Sequence, residues 1–542
     1  MRNNKNKRFS NNLFKLFLIL LIVLPILFNV KTYYVTDSLI SQSNMPRSSQ
    51  EYGFNVSSSE ICILSGNQAQ LKITSDSQGG AFIVWEDERT GSGEEDIYIQ
   101  KLNGSGSVQW AVNGLPICTA NSWQKKPQII SDNAGGVIMV WEDNRIPAIG
   151  FNSQTDIYAQ RINSTGHIQW EENGTAICTA DNFQQNPLLV SDEMGGAIIA
   201  WNDYRTGEYD IYIQRINSAG DIQWLINGTA ISSYSGYQNI EDIISDGTGG
   251  AIIVWTDSRD SSIERDIYTQ RINSTGSVQW TVNGKKLSDT KIPQNHDARI
   301  CSDGMGGAII TWMDRRLITT NIYSQRINST GNILWTANGI SVSGINSNQI
   351  NPRICSDGLG GAIITWSDTR NEANQYDLYA QRIDSMGNKQ WDIYDNALCL
   401  EENNQIGTQI ISDGLGGAMI VLTDDREVLD DHDIYAQRIY SNGSIQSTLK
   451  GIPVCKAGSI QWGSQLCSDG AEGAIFAWAD LRNIGNNNDI YAQRLVNFNL
   501  LPPPPPPTAI PFGNVYLIFM ILGIISLVIF TNRKLMNSKN II

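Results

Sequence analysis

The chain has 542 residues, of which 41% are hydrophobic, and a formal net charge of −15. Segments 1–30 and 514–542 hold eight basic and no acidic residues, so the rest of the chain carries a net charge of −23. So acidic a surface repels phosphate backbones, which argues against nucleic acid as a partner.

The chain opens with a basic stretch followed by the apolar run LFKLFLILLIVLPILFNV, Leu13 to Val30. This pattern predicts that residues 1–30 are a signal peptide or an uncleaved signal anchor. No A-x-A-like cleavage motif follows, so both alternatives stay open. A linker is expected over 31–53.

An internal repeat of 54–60 residues occupies 54–496. Each copy has four segments typical of strands, such as PQIISD, GGAIIVW with a following Asp-x-Arg, DIYAQRI, and GSVQW running on to Asn-Gly. SDGxGG and NSTG joints supply the turn residues that hairpins need. Eight such units predict an all-β fold, an eight-bladed β-propeller of four-stranded antiparallel blades. A linear array of β-sandwiches would need roughly 100 residues per unit.

The two ends of the repeat region predict how the ring closes. The eighth copy lacks its fourth segment, whereas FNVSSSEIC, Phe54 to Cys62, aligns with WAVNGLPIC, Trp110 to Cys118. We therefore expect the N-terminal strand to complete the last blade and to leave no open sheet edge there.

Beyond the repeats, a proline-rich linker (497–513) contains six consecutive prolines, which form a stiff spacer. The apolar stretch over 514–531 approaches the length of a transmembrane helix, and the basic tail 532–542 favours the cytoplasmic side. The expected fold thus adds hydrophobic N- and C-terminal helices, and the propeller is expected outside the cell, anchored in the cell membrane by its C-terminal helix.

Aromatic and charged residues recur at fixed positions in the repeat. An equivalent tryptophan in successive copies indicates packing between blades. Asp-x-Arg follows it, as in Asp87 with Arg89 and Asp143 with Arg145, and eight copies of one pair indicate a structural network. The seven tryptophans of the second segment are Trp85, Trp141, Trp201, Trp255, Trp312, Trp366 and Trp478.

Little in the sequence indicates catalysis or a cofactor. The three histidines lie in unrelated contexts, and no G-x-S-x-G or H-E-x-x-H motif is present. The loop LDDHD could hold a cation such as calcium through Asp430, Asp431 and Asp433, although it lacks the alternating oxygen ligands of a calcium loop. The alternative is a solvated acidic loop.

The eight cysteines allow either four disulfides or buried free thiols. We expect free thiols, because equivalent positions in neighbouring blades are usually too far apart for a bridge. Eight N-x-[ST] sequons are candidate glycosylation sites, although several sit in turns that favour asparagine in any case. They are Asn55, Asn103, Asn163, Asn173, Asn227, Asn273, Asn328 and Asn442.

INSTGHIQW, INSTGSVQW and INSTGNILW contain a Thr-Gly turn followed four residues later by tryptophan. They are similar to the tryptophan-docking repeat of eight-bladed quinoprotein-like propellers. Dehydrogenases of that family also have an adjacent cysteine pair and a calcium-and-quinone site, which this sequence does not match. The pattern SDxxGGxxxxW…DIYAQR more closely resembles repeats of bacterial and archaeal cell-surface β-propeller proteins, which implies export and no defined reaction.

Loop variation suggests where a ligand binds. The loop between the second and third segments ranges from four to ten residues, and the joint between successive repeats varies as well. From the sequence we predict a non-enzymatic binding or adhesion scaffold that holds a protein or glycan ligand at the cell surface through this variable-loop face. The alternatives are a structural surface-coat protein and an exported propeller enzyme, either a glycan hydrolase or quinoprotein-like. The enzyme requires a unique polar cluster that faces the central channel.

Overall fold

The structure is a computed structural model, and it describes residues 58–496 apart from 92, 147–153, 261–264, 289–296, 372–374, 429–430 and 484–486. The predicted signal segment, both linkers, the C-terminal apolar segment, Phe54, Asn55 and Asp430 lie outside these residues. Within the described residues, no helix is both long and apolar enough to span a membrane.

The described chain forms eight four-stranded antiparallel sheets, as predicted for a propeller. The first strands of successive blades contact one another in a closed cycle, and the first strand of blade 1 also contacts that of blade 8. They therefore surround the central channel. The first strands of blades 1 to 8 are Gln68–Ser75, Gln124–Ser131, Gln184–Ser191, Gln238–Ser245, Arg299–Ser302, Gln349–Ser356, Gln405–Ser412 and Gln461–Ser468.

The second and third strands hold most of the core. Their apolar residues pack against those of the next blade, so each hydrophobic cluster joins two neighbouring blades. The second strands are Ala81–Asp87, Val137–Asp143, Ala197–Asp203, Ala251–Asp257, Ala308–Asp314, Ala362–Asp368, Ala418–Val428 and Ala474–Asp480. The third strands are Asp96–Leu102, Asp156–Ile162, Asp210–Ile216, Asp266–Ile272, Asn321–Ile327, Asp377–Ile383, Asp431–Ile439 and Asp489–Leu495.

The fourth strand differs from the prediction. GSVQW forms only an isolated bridge, Val108 to Leu102, and the strand itself follows the Asn-Gly turn. Asn113 adopts a φ of 64° in that turn, a conformation that asparagine tolerates. In chain order the fourth strands of blades 1 to 7 are Leu115–Cys118, Thr175–Cys178, Thr229–Ser232, Lys285–Lys286, Ile340–Ser341, Asn396–Cys399 and Ile452–Cys455.

The ring closes through the N-terminal strand, as predicted. Ser59–Cys62 pairs antiparallel with the third strand of blade 8, with Ser59 opposite Ala492 and Cys62 opposite Ile490. Blade 8 thus has the same four strands as the others, and its outer edge is covered.

The tryptophans four residues after the turn glycine dock on the next blade. Trp170 donates from its indole nitrogen to the Ser218 carbonyl at 3.2 Å, and a Cβ at Gly220 would lie only 2.7 Å from its ring. Trp224, Trp280, Trp335 and Trp391 make the equivalent hydrogen bond, which confirms their role in packing between blades.

Candidate functional site: the central channel

The repeated Asp-x-Arg residues form a structural network in every blade, joined in seven of the eight by the tryptophan two residues before the aspartate. Each of the seven tryptophans donates to the Asp Oδ2 two residues later, at 2.7–3.0 Å. The arginine binds the same carboxylate, and its guanidinium lies 3.6–4.0 Å from the centre of a tyrosine ring on the third strand. Asp87 with Arg89 and Asp143 with Arg145 are two copies of this arrangement, which therefore serves the fold.

All eight cysteines are free and buried, as expected. Burial raises the pKa of Cys118 to about 12, with the nearby Asp143 charge adding to the effect. Such a thiol stays protonated at neutral pH and is a poor nucleophile.

The predicted cation site is only partly covered by the structure. Asp433 is buried at the start of its strand, and the side chain of Asp431 is not described. Within the described residues, no group of three histidine, cysteine or acidic side chains is placed to hold a metal ion. The calcium prediction remains a prediction.

The sequon asparagines that the structure describes help to build turns. The Asn163 Oδ1 accepts the backbone N–H groups of Thr165 and His167, both at 3.0 Å, and Asn103, Asn273 and Asn328 repeat the pattern. Asn173 and Asn227 accept a backbone N–H from the preceding blade, and Asn442 accepts one from its own turn. Their glycosylation remains a prediction.

The two variable joints do lie on one face. In blades 1 to 4, 6 and 7 the first residue of the inner strand donates its N–H to the loop between the second and third strands of the preceding blade, as Gln124 does to Glu95 at 2.6 Å and Gln184 to Thr155 at 2.8 Å. The first strands therefore start at this variable-loop face, and the early residues of these strands line the channel close to it.

The channel contains a cavity of about 360 Å³. It is lined by first-strand residues of blades 1 to 5, which enter from several sides of the ring. The lining residues that carry charge are Lys72, Lys126, Glu241 and Arg299. None of them has an equivalent of the same type in every other blade, so the cavity lacks the eightfold symmetry of the scaffold.

Glu241 lies at a β-bulge of blade 4 whose position differs from that of the bulges in blades 2 and 3. In blades 2 and 3 the register shifts around Lys126 and Asn186, each at a φ of 54°. Blade 4 has Ile240 at that position, and a β-branched side chain resists positive φ. The shift falls instead between Ile240 and Asp242, so Glu241 has no partner on the second strand. Bulges of this kind re-aim side chains and occur often near active sites.

The environment of Glu241 favours its protonated form. The Glu241 Oε1 accepts hydrogen bonds from Asn239 and Thr256, both at 3.2 Å. Burial nevertheless raises the pKa of Glu241, against the opposing charge of Arg299. Burial also raises the pKa of Asp242, whose carboxylate joins blades 4 and 5 by accepting the N–H of Ile300 at 3.2 Å.

Two arginines and an aspartate extend this group across blades 5 and 6. Asp297 accepts hydrogen bonds from Arg299 and from Arg353, whose Nη1 lies 3.2 Å from both carboxylate oxygens. Arg299 also donates to the Glu241 carbonyl at 3.1 Å, which ties the bulge to blade 5.

Lys72 completes the channel from blade 1. Burial, with the charges of Arg299 and Arg353, lowers the pKa of its ammonium group. Its ammonium group makes no ion pair or hydrogen bond to any residue that the structure describes. We call Lys72, Glu241, Asp297, Arg299 and Arg353 the channel cluster.

A second set of charged side chains lies in blades 1 to 3. Glu86 accepts the N–H of Lys126 at 2.6 Å, and Glu142 accepts that of Asn186 at 2.7 Å while pairing with the Lys126 ammonium at 3.0 Å. These carboxylates tie the second strand of one blade to the first strand of the next. Burial raises the pKa of Glu86 to about 7.

Sequence reasoning missed the channel cluster because its residues lie in the least striking segment of the repeat. A signal was present: three residues before the serine that ends each first strand, the eight copies have Lys72, Gln128, Leu188, Asp242, Arg299, Arg353, Gln409 and Gln465. Four of these eight side chains are charged, and no residue type is shared by all the copies, which indicates that this position does not serve packing common to every blade.

The comparisons with known proteins add solved structures but no family. No family model matches the chain, and no curated protein matches it. The polysaccharide lyase Uly1 is 8% identical over 84% of this chain and 94% of its own, with a TM-score of 0.43. A Hadza microbial sialidase is 11% identical over 61% of this chain and 71% of its own, with a TM-score of 0.35. A puromycin-hydrolyzing peptidase of Mycobacterium tuberculosis is 10% identical over 77% of this chain and 61% of its own, with a TM-score of 0.39.

These findings correct the expectation of a non-enzymatic binding or adhesion scaffold. The channel holds the non-repeating polar cluster that an enzyme requires, although several blades contribute to it rather than one. The solved structures named above are a lyase, a sialidase and a peptidase, but their TM-scores are all below 0.5 and carry no argument about the activity of this chain. Because the similarity to them is low, the fold rests on the chain's own strand pairing, and the resemblance to cell-surface repeat proteins rests on sequence motifs alone.

Proposed function

We propose that the protein is a propeller enzyme that hydrolyses glycosidic bonds of an acidic glycan at the channel cluster. The observation that carries this proposal is the cavity itself, which is lined both by Glu241, with its raised pKa, and by Lys72, whose ammonium group has no partner among the described residues. Two of the similar structures, the polysaccharide lyase and the sialidase, have names of glycan-acting enzymes, but the proposal depends on the cluster.

Glu241 acts as the general acid. Hydrolysis of a glycosidic bond usually needs one carboxyl group that protonates the leaving oxygen and a second that remains charged. A raised pKa keeps the first group protonated closer to neutral pH, which suits Glu241. Asp297, which accepts hydrogen bonds from two guanidinium groups, supplies the second carboxylate.

Lys72 binds the acidic group of the substrate. Arg299 and Arg353 are already engaged with Asp297, whereas the Lys72 ammonium has no described protein partner. An unpaired cation inside a cavity is stabilised by a ligand carboxylate or sulfate, because both charges are then satisfied away from bulk water. A neutral glycan would leave it unpaired.

The location of the enzyme is proposed from the sequence. The basic and apolar N-terminus, the proline-rich spacer and the apolar segment over 514–531 favour export and a membrane anchor, with the propeller outside the cell. This location gives the channel access to extracellular polysaccharides. Proteolysis of intact cells tests it, since an external propeller is cut and an internal one is protected.

The test is turnover by the purified protein with a panel of polygalacturonate, hyaluronan, sialyllactose and neutral arabinan. Release of reducing ends is expected from at least one acidic substrate. Glu241→Gln should lower kcat about a hundredfold, as loss of a general acid does, and Lys72→Met should mainly raise KM. Glu172→Gln, an exposed change in the turn before a fourth strand, is the matched control and should leave both constants unchanged.

Two results would contradict the proposal. One is no turnover of any substrate by folded wild-type protein, and the other is equal turnover by wild type and Glu241→Gln. Activity on arabinan alone would contradict the role of Lys72 while leaving hydrolysis in place.

A further inference from the structure

The rim of the channel on the variable-loop face carries a run of aromatic side chains over blades 2 to 4. The residue that precedes the inner-strand glutamine is Trp123 in blade 2, Phe183 in blade 3 and Tyr237 in blade 4. These positions are structurally equivalent, because each carbonyl accepts the N–H of the residue after the repeated Asp. Blades 1, 6, 7 and 8 have non-aromatic residues there, namely Asn67, Asn348, Asn404 and Ile460, and the position in blade 5 lies outside the described residues.

Blade 3 extends this side with two tyrosines from its loop between the second and third strands. The ring centres of Phe183 and Tyr204 are 6.3 Å apart, those of Tyr204 and Tyr209 are 4.9 Å apart, and those of Tyr209 and Tyr237 are 6.2 Å apart. We call these four residues the aromatic arc. Among the described residues, the other close aromatic pairs lie in or around the blade cores.

The arc is accessible and polar at its edge. Tyr237 is 52% exposed, and the other three rings are half-buried. The Tyr209 hydroxyl donates to the Gln185 side chain at 2.8 Å, which fixes its ring. Rings fixed in place on an open surface lose little entropy when a ligand stacks on them.

The arc is continuous with the cavity. Phe183 precedes the cavity residue Asn186 by three positions on one strand, and Tyr237 precedes Glu241 by four on the next. A chain that lies along the arc therefore reaches the channel cluster over blades 3 and 4.

We propose that the aromatic arc is the chain-binding subsite of the enzyme, on which successive sugar rings of a polysaccharide stack while the bond to be cleaved lies in the cavity. This inference rests on the proposed function. Aromatic faces are apolar and tyrosine edges are polar, which matches the apolar faces and hydroxyl edges of sugar rings. The arc holds the polymer, and the channel cluster selects the acidic residue that is cut.

Affinity electrophoresis through gels that contain polygalacturonate or hyaluronan tests the arc. All proteins carry Glu241→Gln so that the polymer is not degraded. Adding both Tyr204→Ala and Tyr237→Ala should weaken retardation roughly tenfold, because two ring contacts are lost. A variant with Tyr237→Phe and Tyr204 intact keeps both rings and should be retarded as the parent is. The control is Tyr394→Ala, which removes a 65% exposed tyrosine near the fourth strand of blade 6 and should bind as the parent does.

The outcomes separate the two proposals. Retardation that is equal in the double variant and its parent overturns the arc, provided that thermal melts show both to be folded. If none of the polymers retards the protein, the proposed subsite is also overturned, and the arc is left as a surface for a protein partner. Loss of retardation in the double variant supports the arc even if the wild-type protein cleaves nothing, a result that would overturn only the proposed hydrolysis.

Discussion

At the scale of single residues, repetition separates structural from functional charge. The Asp-x-Arg pairs occur in all eight blades, whereas Lys72 and Glu241 have no equivalent of the same type in another blade, and Arg299 has one, Arg353. The sequence was sufficient to identify the first group as structural. It did not reveal the second, because each member looks like an ordinary polar substitution until the ring brings distant blades to one cavity.

Substitution of the buried Asp203 tests whether the Asp-x-Arg pairs stabilise the fold. It accepts from the Trp201 indole at 2.8 Å and pairs with Arg205, and its side chain has no exposure to solvent. Asp203→Asn places an amide beside those donors and leaves the guanidinium uncompensated, so the free energy of unfolding should fall by about 3 kcal/mol. Chemical denaturation measures it, and the exposed Asp181→Asn should change stability by less than about 0.5 kcal/mol. Equal effects would contradict the network.

Glu86 predicts a pH dependence of stability. Its pKa is raised from 4.5 to about 7, first by burial and then by Glu95 and Glu142, against the N–H of Lys126 and the charge of Lys125. The folded protein thus holds a proton that the unfolded chain releases, and the free energy of unfolding falls as pH rises between these two values.

Glu86→Gln should remove this decrease in the free energy of unfolding with rising pH. The variant's free energy of unfolding relative to wild type should increase by up to about 3 kcal/mol between about pH 4 and pH 8. Denaturation at both pH values measures the change, and the exposed Glu94→Gln is the control. A difference between variant and wild type that does not vary with pH would show that Glu86 does not titrate in this range.

At the scale of elements, hydrophobic pattern and turn residues were enough to predict strands one to three. The fourth was misplaced, because GSVQW alternates as a strand does but the tryptophan points to the next blade and the pairing segment starts after Asn-Gly. The bulge at Glu241 could not be predicted from one copy of the repeat. Comparison of eight copies shows Ile240 where others have residues that tolerate positive φ.

The closing strand provides a test at this scale. A chain that lacks 1–63 exposes the edge of Asp489–Leu495, so it should melt at a lower temperature and aggregate more readily than a chain that lacks 1–57. A synthetic peptide of residues 58–66 should raise the melting temperature of the shorter chain by binding the vacated edge, whereas a scrambled peptide should not. Identical melting of both chains would contradict closure by this strand.

At the scale of the whole molecule, a nearly eightfold scaffold supports an asymmetric site. The channel cluster draws on blades 1, 4, 5 and 6, and the aromatic arc lies over blades 3 and 4. The sequence predicted the scaffold and the face that carries variation. It led to the prediction of a binding scaffold, because no linear motif records a cluster whose residues come from different repeats, as Lys72 and Glu241 do, 169 positions apart.

The most direct test of the central claim is a crystal structure of the Glu241→Gln protein soaked with an acidic oligosaccharide that the wild-type protein cleaves. We expect sugar density in the channel, with an acidic group within hydrogen-bonding distance of the Lys72 ammonium and a glycosidic oxygen beside residue 241. Density confined to the opposite face of the ring, or a channel that holds the sugar away from both residues, would contradict it.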